Sequence, residues 1–533
     1  MSPKGRGRRP FPCAQSLHNV ESRVAPKMVS SVSNITAQMD AIHIDAPKVT
    51  LAPDLSKLGE HDFVFIDVSS IQEGKIPKPF PEVCEDDSYG WEKAGFVRMP
   101  FSSKRLGKDG SSEAEFVKEC LRKLSKPQRS IQDVSTILDS YQPDSLNYDS
   151  LYELFNKRLP ADLRSHYLTV VYPNIAKLAL RLNELITKPI LRLRKDLSSS
   201  ITFSQEQVAC LLANAFLCTF PAPSFSLGHR KTYFNFSLMF GRGRRCKPEK
   251  MRCMLHYFDC VTKNMPTGVI SIRRNCVLGK VDFASSNKKI CDLNVSEEGR
   301  IEDTDDKMLE IDFANKFIGG GVLNSGSVQE EIRFTISPEL MVSILVCERM
   351  EWNDAISIVG SERFCDYKGY GDSFAYVQRK HTGSVIRDTF NRTLSEVVAI
   401  NATSFTTNPM KQIEEQSILG EIMKAYVGFD HLDNLNRPIA TGNWGCGVFM
   451  GDKQLKSLIQ LAAASARGRS EVHYFTFNDA RFTQELRSVH RILVEKKVTV
   501  GTLVRWLISY RNEKSNARDG DFRFFEFIEG KLR

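Results

Sequence analysis

Long hydrophobic runs are missing from this sequence of 533 residues. None approaches the roughly 18 to 20 apolar residues that a helix needs to cross a bilayer. Stretches such as 340–347 and 458–464 are short enough to be core segments. The basic residues at the amino terminus are not followed by an apolar stretch, so a secretory signal is missing as well. We therefore expect a protein that stays inside the cell and has no membrane partner.

Paired cysteine spacing is also missing. The 13 cysteines, an odd number, are scattered along the chain, which is typical of reduced intracellular thiols rather than of a disulfide framework. Cys246, Cys253, His256 and Cys260 form the one group to consider as metal ligands, but zinc needs a close CxxC-type pair, which is absent there. Residues 251–261 instead carry apolar side chains at helical spacing. We expect no bound metal.

Charge of one sign is only slightly in excess. Lysine and arginine number 73 against 64 aspartate and glutamate residues, a net charge of +9, which favours polyanions without specifying one. Hydrophobic residues make up 41% and charged residues 26% of the chain, proportions typical of a soluble globular protein. Because the chain exceeds the size of one hydrophobic core, we expect two folded domains and a tail.

The chain divides into three segments of different character. Residues 1–58 lack a sustained hydrophobic period and begin with a basic cluster at 4–10, so we predict a disordered tail. That cluster suits a nuclear address or a nucleic-acid arm, or is simply a solvated tail. Residues 59–265 are mainly helical by their apolar spacing, whereas residues 266–533 alternate short β-branched runs with helices. This alternation predicts an α/β layered domain.

Individual elements are placed by their patterns. The clearest helix is predicted at 204–220, where Ser204 and Gln207 form a capping box ahead of an apolar face. Further helices are predicted at 116–124, 134–138, 152–156, 175–186, 338–350 and 453–467. Strands are predicted at 269–272, 309–313, 356–359, 397–400 and 473–477.

One segment combines glycines with acids. A strand that ends in Asp312 is followed by three consecutive glycines at 319–321, and Gln329, Glu330 and Glu331 follow after seven intervening residues. Consecutive glycines permit positive φ angles and bring backbone N–H groups close to a ligand such as a phosphate. Carboxylates repel phosphate, but they suit a sugar attached to a diphosphate, because cleavage of a ribosyl bond needs a proton donor. The alternatives are a flexible turn and an exposed acidic helix start.

A second glycine-rich segment occupies residues 440–452. Its four glycines lie around Trp444 and Phe449, immediately before a predicted helix. Such a loop offers amide donors and an aromatic wall, as a nucleotide site requires. The alternative is a turn whose aromatic side chains pack into the core.

Together these segments resemble the poly(ADP-ribose) glycohydrolase family. The family's signature of three glycines followed by Gln-Glu-Glu is matched by DFANKFIGGGVLNSGSVQEEIRF. Its second and third characteristic blocks resemble ATGNWGCGVFMGDKQLKSLIQLAAA and VHYFTFND, and its helical accessory domain resembles SQEQVACLLANAFLCTFP. The resemblance covers about residues 200–510. It implies a macrodomain, a mixed sheet flanked by helices, at 266–533 behind a mainly helical accessory domain at 59–265.

The resemblance also implies an activity, namely exo hydrolysis of the ribose–ribose O-glycosidic bonds of poly(ADP-ribose) with release of ADP-ribose. The acids that match the family's catalytic residues are Asp312, Glu330 and Glu331. The positions that match its substrate contacts are Ile301 and Glu302 at adenine, Asn315 and Gln329 at the distal ribose, Gly319, Gly320 and Gly321 lining the pocket, Tyr370 over the diphosphate and ribose, Asn443, Gly445, Cys446, Gly447, Val448 and Phe449 at the diphosphate, and Phe477 at the terminal adenosine.

Glu331 matches the family's general acid, which protonates the leaving ribose oxygen and then acts as base for water. Neighbouring glutamates cannot easily flank a bond from opposite faces, as the two carboxylates of most glycosidases do. We therefore expect a protonated Glu331 at neutral pH, favoured by repulsion from Glu330 and Asp312, and no cofactor. Val448 and Met450 depart from the family's block, which more often reads GCGAFGGD, and this bears on affinity rather than on chemistry.

The implied partners are poly(ADP-ribose) and poly-ADP-ribosylated proteins. We expect a monomer of the nucleus and cytoplasm that acts in the DNA damage response, and nucleic-acid binding by the tail stays open. Two rival functions are a macrodomain that binds ADP-ribose without cleaving it and a hydrolase of mono-ADP-ribosylated proteins. Because all three acids are present, the sequence favours an active enzyme.

Overall fold

The structure is a computed structural model of the chain. It describes residues 49–82, 93, 95–107, 109–221, 234–304, 308–379, 385–430, 436–513 and 522–533. The predicted disordered tail falls largely outside these residues, since 1–48, with the basic cluster, are not among them.

The predicted end of the tail at residue 58 is wrong. Leu51 and Leu55 are only 1% and 3% exposed. The buried guanidinium of Arg392 donates hydrogen bonds to the carbonyl oxygens of Leu51 and Pro53, and the Asp388 carboxylate accepts from the Leu51 N–H at 3.1 Å. Packed structure therefore begins before residue 58, because a distant guanidinium and carboxylate bind this segment.

The segment up to residue 263 is mainly helical, as predicted. The expected capping box is present, since the Ser204 hydroxyl accepts from the Gln207 N–H at 3.1 Å and the Gln207 side chain accepts from the Ser204 N–H at 2.9 Å. The helices are α1 Glu113–Leu124, α2 Ile131–Asp139, α3 Asp149–Glu153, α4 Ala161–His166, α5 Tyr172–Leu180, α6 Leu182–Leu185, α7 Gln205–Phe216, α8 Ser237–Phe240 and α9 Cys246–Lys263. Two π-helical turns lie at Leu154–Arg158 and Tyr167–Val171.

Within the part of the chain that the structure describes, nine strands form one mixed sheet, in the order β1-β2-β3-β6-β9-β5-β10-β11-β4. From β9 to β4 all neighbouring strands are parallel, whereas β2, β3, β6 and β9 pair antiparallel. The strands are β1 Asp62–Val64, β2 Ser199–Ser204, β3 Val269–Cys276, β4 Asp292–Ser296, β5 Leu309–Ala314, β6 Asp354–Val359, β9 Glu396–Asn401, β10 Ile439–Gly442 and β11 Glu471–Phe475, with a separate hairpin of β7 Cys365–Lys368 and β8 Ala375–Gln378.

Helices cover both faces of this sheet. Val397 and Ala399 of β9 pack into the core shared with the amino-terminal helices, and the alternating Val398 and Ile400 pack into the core on the other face. The later helices are α10 Gln329–Ile336, α11 Val342–Val346, α12 Glu415–Gly428, α13 Lys453–Arg467, α14 Ala480–Glu495, α15 Val500–Glu513 and α16 Phe524–Leu532. The five predicted strands are therefore confirmed as β3, β5, β6, β9 and β11.

The helix predicted at 338–350 is shorter in the structure. A 3₁₀ turn at Pro338–Met341 leads into α11, and the chain becomes extended at Cys347. The reason is a tertiary contact, because Leu193 donates from its N–H to the Val346 carbonyl at 2.7 Å and accepts from the Glu348 N–H at 3.1 Å.

Strands β1 and β2 come from the segment predicted as an accessory domain, and they join the same sheet as the strands after residue 266. No helix among the described residues is both long and apolar enough to cross a membrane.

We predict that Arg392→Met destabilises the protein by about 3–5 kcal/mol, because it leaves the Asp388 carboxylate buried and unpaired and removes two bonds to the 51–53 segment. Thermal or urea unfolding measures the loss. Arg481→Met is the control, since Arg481 belongs to an exposed ion pair with Glu485, and its removal should change little. Equal unfolding midpoints for the two variants would contradict this account of residues 49–58.

Candidate active site

The predicted site residues gather at one edge of the sheet. Carboxyl ends of parallel strands meet at the same edge. Asn315 follows β5, Asn443 follows β10, Phe477 follows β11 and Ile301 follows β4. Segments that are far apart in the sequence therefore share one edge in space.

Glu330 lies in the first turn of α10 and is held by backbone N–H groups. Its carboxylate accepts hydrogen bonds from the N–H of Asn315 at 2.9 Å and from the N–H of Gly319 at 2.7 Å. The residue is 3% exposed. Hydrogen bonds from the backbone fix the carboxylate without a charged partner.

Glu331 is held in the same way. Its carboxylate accepts from the N–H of Gly321 at 2.9 Å and from the N–H of Val328 at 3.0 Å. A Cβ on Gly320 would lie 2.5 Å from a Glu330 oxygen and 2.6 Å from a Glu331 oxygen, so both carboxylates face the same glycine. Two N–H groups of this glycine run, those of Gly319 and Gly321, thus bind the site's own acids.

Asp312, near the end of β5, is the third acid. It is fully buried, and neither of its carboxylate oxygens has a hydrogen-bond partner among the described residues. Burial, together with the negative charge of Glu331, raises the pKa of Asp312 well above its usual range. Burial and the charges of Asp312 and Glu331 raise the pKa of Glu330 as well. We therefore expect the cluster to retain a proton at neutral pH.

The structure and the sequence favour different acids of the cluster as the carrier of that proton. The sequence places it on Glu331, whereas burial raises the pKa of Asp312 well above its usual range. Asp312 has no donor beside it. In the unliganded chain, Asp312 is therefore the member that burial keeps neutral, and burial also raises the pKa of Glu330.

Gln329 fastens α10 to β5. Its side-chain oxygen accepts from the Phe313 N–H at 2.8 Å, and its amide nitrogen donates to the Ile311 carbonyl at 3.2 Å. The side-chain oxygen of Asn315 accepts from the Phe317 N–H at 3.0 Å. Backbone groups engage both side chains here, and their contacts with the distal ribose stay predictions.

The second glycine-rich segment forms the turn between β10 and α13. The Asn443 side chain donates to the Thr476 carbonyl at 3.0 Å and accepts from the Tyr474 hydroxyl at 3.1 Å, which ties the turn to the end of β11. Asp452 caps α13 by accepting from the Leu455 N–H at 2.8 Å. The turn is thus anchored at both ends.

The tip of this turn has backbone N–H groups that are available to a ligand. Within the described residues, the backbone N–H groups of Gly447, Val448 and Phe449 donate to no other protein group. They precede the amino terminus of a helix of 15 residues, where N–H groups and the helix dipole favour an anion. This geometry fits a diphosphate, whereas the contacts of Gly445 and Cys446 stay predictions.

Met450 has a left-handed φ of 58°. Glycine adopts this conformation without steric cost, whereas other residues rarely do. This conformation therefore suits the glycine that the resemblance to the family implies at this position.

Trp444 does not provide the aromatic wall that the sequence suggested. It is fully buried, and its indole N–H donates to the Ile400 carbonyl at 2.9 Å. The ammonium of Lys456 lies 3.7 Å from the centre of its ring. Trp444 therefore packs into the core, as the alternative interpretation held, and the half-buried Phe449 packs against the same core.

An exposed aromatic pair lies beside the acids instead. The rings of Tyr370 and Phe477 are 5.4 Å apart, and 42% and 60% of these residues are exposed. The Tyr370 hydroxyl accepts from the Gln329 N–H at 3.1 Å, next to the glutamate pair. The structure thus brings together two residues that the sequence predicts to close over the substrate.

Ile301 and Glu302 lie in a 3₁₀ turn, Ile301–Asp303, after β4. Ile301 is buried. The Glu302 carboxylate accepts from the Tyr367 hydroxyl, and its backbone carbonyl accepts from Arg363 at 2.9 Å. Their place at adenine stays a prediction.

Two residues of the site escape the sequence prediction. A Cβ on Gly326 would lie 2.6 Å from a Glu331 oxygen, so this position requires glycine. Lys250 of α9 is buried, and its ammonium donates to the carbonyls of Asn324 and Gly326. The additional glycine between the triple glycine and Gln329 was a usable signal, whereas nothing in the local sequence of Lys250 links it to this loop.

The described residues hold no group of three or more His, Cys, Asp or Glu side chains that could bind a metal ion. The four residues considered from the sequence lie along α9. The His256 Nε2 and the Cys260 Sγ are 3.5 Å apart. The Cys246 Sγ instead lies 3.8 Å from the carbonyl oxygen of Ser325.

These features define a class of protein, a macro domain that follows a helical domain and carries acids beside a phosphate-suited loop. A family model described as poly(ADP-ribose) glycohydrolase, macro domain fold, matches residues 281–484. Another, described as the helical domain of poly(ADP-ribose) glycohydrolase, matches residues 159–274.

Curated relatives agree with these models. A protein named probable poly(ADP-ribose) glycohydrolase 2 from Arabidopsis thaliana is 32% identical, and the match covers 68% of this chain and 82% of the relative. Poly(ADP-ribose) glycohydrolase 1 of the same plant is 32% identical over 61% of this chain and 72% of the relative. Poly(ADP-ribose) glycohydrolase 1 of Caenorhabditis elegans is 32% identical over 68% of this chain and 47% of the relative. The chain therefore belongs to the poly(ADP-ribose) glycohydrolase family of glycoside hydrolases, and the predicted family and fold are confirmed.

We predict that Gly326→Ala lowers kcat on poly(ADP-ribose) by about 100-fold, the loss typical of a reacting group displaced by about 1 Å. The added methyl group would press on the Glu331 carboxylate. The control is Gly420→Ala in α12, where an added Cβ meets nothing within 4 Å, and it should leave kcat unchanged. Equal kcat values for the two variants would contradict the packing described for Glu331.

We also predict that Asp312→Asn raises the melting temperature by a few degrees at neutral pH. A raised pKa in the folded state contributes stability that is complete below the usual value of 3.8 and is lost as the pH rises through the folded value. The variant escapes this loss, so its advantage over the wild type should grow between about pH 5 and about pH 8. Melting curves of both proteins at both pH values test this prediction. A difference in melting temperature that shrinks over this interval would refute the raised pKa of Asp312.

Proposed function

We propose that this chain hydrolyses the ribose–ribose O-glycosidic bonds of poly(ADP-ribose), mainly from the chain end, and releases ADP-ribose. The observation that carries the proposal is the buried cluster of Asp312, Glu330 and Glu331 at the same sheet edge as a loop with unused N–H donors. A ribose attached to a diphosphate needs both features, because its bond is cleaved by proton transfer while its phosphates are bound elsewhere.

In the proposed mechanism Glu331 protonates the oxygen of the leaving ribose as the glycosidic C–O bond breaks. Positive charge develops on the remaining ribose, and the negative cluster stabilises it. Glu331, now a carboxylate, takes a proton from an incoming water, whose oxygen forms the new bond to the sugar. Since Glu330 and Glu331 face the same glycine, a single carboxylate that acts first as acid and then as base is the simplest assignment.

Glu331 must gain the proton that it donates. Burial keeps Asp312 and Glu330 neutral more readily than a solvated carboxyl group, so the cluster carries a proton before substrate arrives. We propose that ribose binding transfers this shared proton to Glu331, as the ribose hydroxyl groups engage Glu330 and Asp312.

The remaining site residues are proposed to bind ADP-ribose. The turn from Asn443 to Phe449 holds the diphosphate through its unused N–H groups. Tyr370 and Phe477, an exposed aromatic pair, cover the diphosphate and the terminal adenosine. Binding of the terminal unit at Phe477 is the basis for the proposed exo mode.

In the cell we propose a monomer that reverses poly-ADP-ribosylation in the nucleus and cytoplasm, including after DNA damage. Its substrates are then poly-ADP-ribosylated proteins. An added role of the basic tail in nucleic-acid binding would show as a salt-dependent interaction with DNA that is lost when residues 1–48 are deleted.

We predict that Glu331→Gln keeps ADP-ribose affinity and lowers polymer turnover by about 100- to 10,000-fold, the usual contribution of a general acid–base group. Calorimetry measures the affinity for ADP-ribose, and polymer digestion with product analysis measures the turnover. Glu485→Gln, on the solvent side of α14 in an exposed ion pair, is the control and should behave as wild type. Substantial polymer turnover by Glu331→Gln would refute the assignment of Glu331 as the general acid.

The same assay separates the rival functions. A wild-type chain that binds ADP-ribose but leaves polymer intact would be a reader of ADP-ribose. Efficient clearance of a mono-ADP-ribosylated protein, with little release from polymer, would indicate the mono-ADP-ribosyl hydrolase instead.

A further inference from the structure

Lys250 has no role in the mechanism above, yet its ammonium is buried beside the site. It lies on α9, which belongs to the helical segment and not to the strands that carry the acids. We infer that Lys250 is a positioning residue for Glu331, an assignment that rests on the proposed function.

The geometry of the ammonium supports this inference. Only 1% of Lys250 is exposed. Its Nζ donates to the carbonyl oxygen of Gly326 at 2.6 Å and to that of Asn324 at 3.0 Å. Both acceptors lie in the middle of the loop that joins the triple glycine to α10. The ammonium therefore binds this loop to α9.

The ends of the same loop hold Glu331. The N–H groups of Gly321 and Val328 donate to its two carboxylate oxygens. The Cα of Gly326 packs against the carboxylate so closely that a Cβ there would lie 2.6 Å from an oxygen. The loop thus contacts Glu331 at both of its ends and at Gly326 in its middle, and Lys250 binds that middle.

The charge of Lys250 supports a role beyond packing. Among the described residues its ammonium binds only backbone carbonyl oxygens and no carboxylate, and a buried ammonium without a counter-charge is costly. Burial lowers the pKa of Lys250 to about 8, although the nearby negative charge of Glu331 opposes this shift. At neutral pH the cation is therefore largely present, and it offsets part of the repulsion among the acids.

Lys247 provides a matched control on the same helix. It is 2% exposed, and its ammonium donates to the carbonyls of Leu238 at 2.6 Å and Gly241 at 3.2 Å. It therefore anchors the end of α8 and makes no bond to the loop around Glu331. Lys250→Met and Lys247→Met remove the same group from the same buried helix.

The test measures kcat on poly(ADP-ribose) and the Kd of ADP-ribose for the full chain and both variants. We expect Lys250→Met to lower kcat by about 100-fold, as for a displaced reacting group, with the Kd of ADP-ribose unchanged. Lys247→Met should lower thermal stability and leave kcat unchanged. If Lys250→Met does not fold, Lys250→Gln, which keeps one amide donor without the charge, should show the same separation of kcat from Kd.

Two results would overturn the inference. One is a wild-type kcat in the folded Lys250 variant, and the other is a Kd for ADP-ribose that weakens as much as kcat falls, which indicates a general loss of structure. Because wild-type turnover is measured in the same assay, a wild-type chain that leaves polymer intact would refute the proposed function itself. Turnover by wild type with no effect at Lys250 would refute only the positioning role.

Discussion

Three carboxyl groups, those of Asp312, Glu330 and Glu331, are removed from water next to one another, and the surrounding chain is arranged to hold them there. Three charges in one buried space would repel strongly. The structure limits this repulsion by giving Glu330 and Glu331 backbone N–H donors and Asp312 none. Burial then raises the pKa of Asp312 and Glu330, so the arrangement itself stores the proton that a glycoside hydrolase needs.

The sheet separates this acidic cluster from a region of opposite charge. Behind the diphosphate loop, the buried ammonium groups of Lys456 and Lys424 share the single carboxylate of Glu421, whose pKa they lower to about 2. The buried charge there is therefore positive. Parallel strands that end at one edge bring both regions to the same side of the molecule, and in the proposed function the acids lie at the ribose and the positive charge lies behind the diphosphate.

Much of this architecture can be predicted from local sequence, because capping and periodicity are local. The capping box of Ser204 and Gln207 and the five strands are examples. What could not be predicted depends on contacts between distant segments, such as the docking of residues 49–58 by Arg392 and the end of α11 at its bond with Leu193. In the site, the pair of glutamates was evident from the sequence. The sequence did not reveal that glycine N–H groups bind those glutamates or that Lys250 binds their loop.

The structure predicts that the unliganded cluster keeps a proton at neutral pH. Infrared difference spectroscopy between the wild type and Asp312→Asn tests it directly, because a protonated carboxyl group has a C=O stretching band distinct from the bands of a carboxylate. The structure predicts a protonated-carboxyl band at neutral pH in the wild type that the variant loses. A difference spectrum that shows only the loss of carboxylate bands would mean that Asp312 is ionised at neutral pH, and it would contradict this prediction.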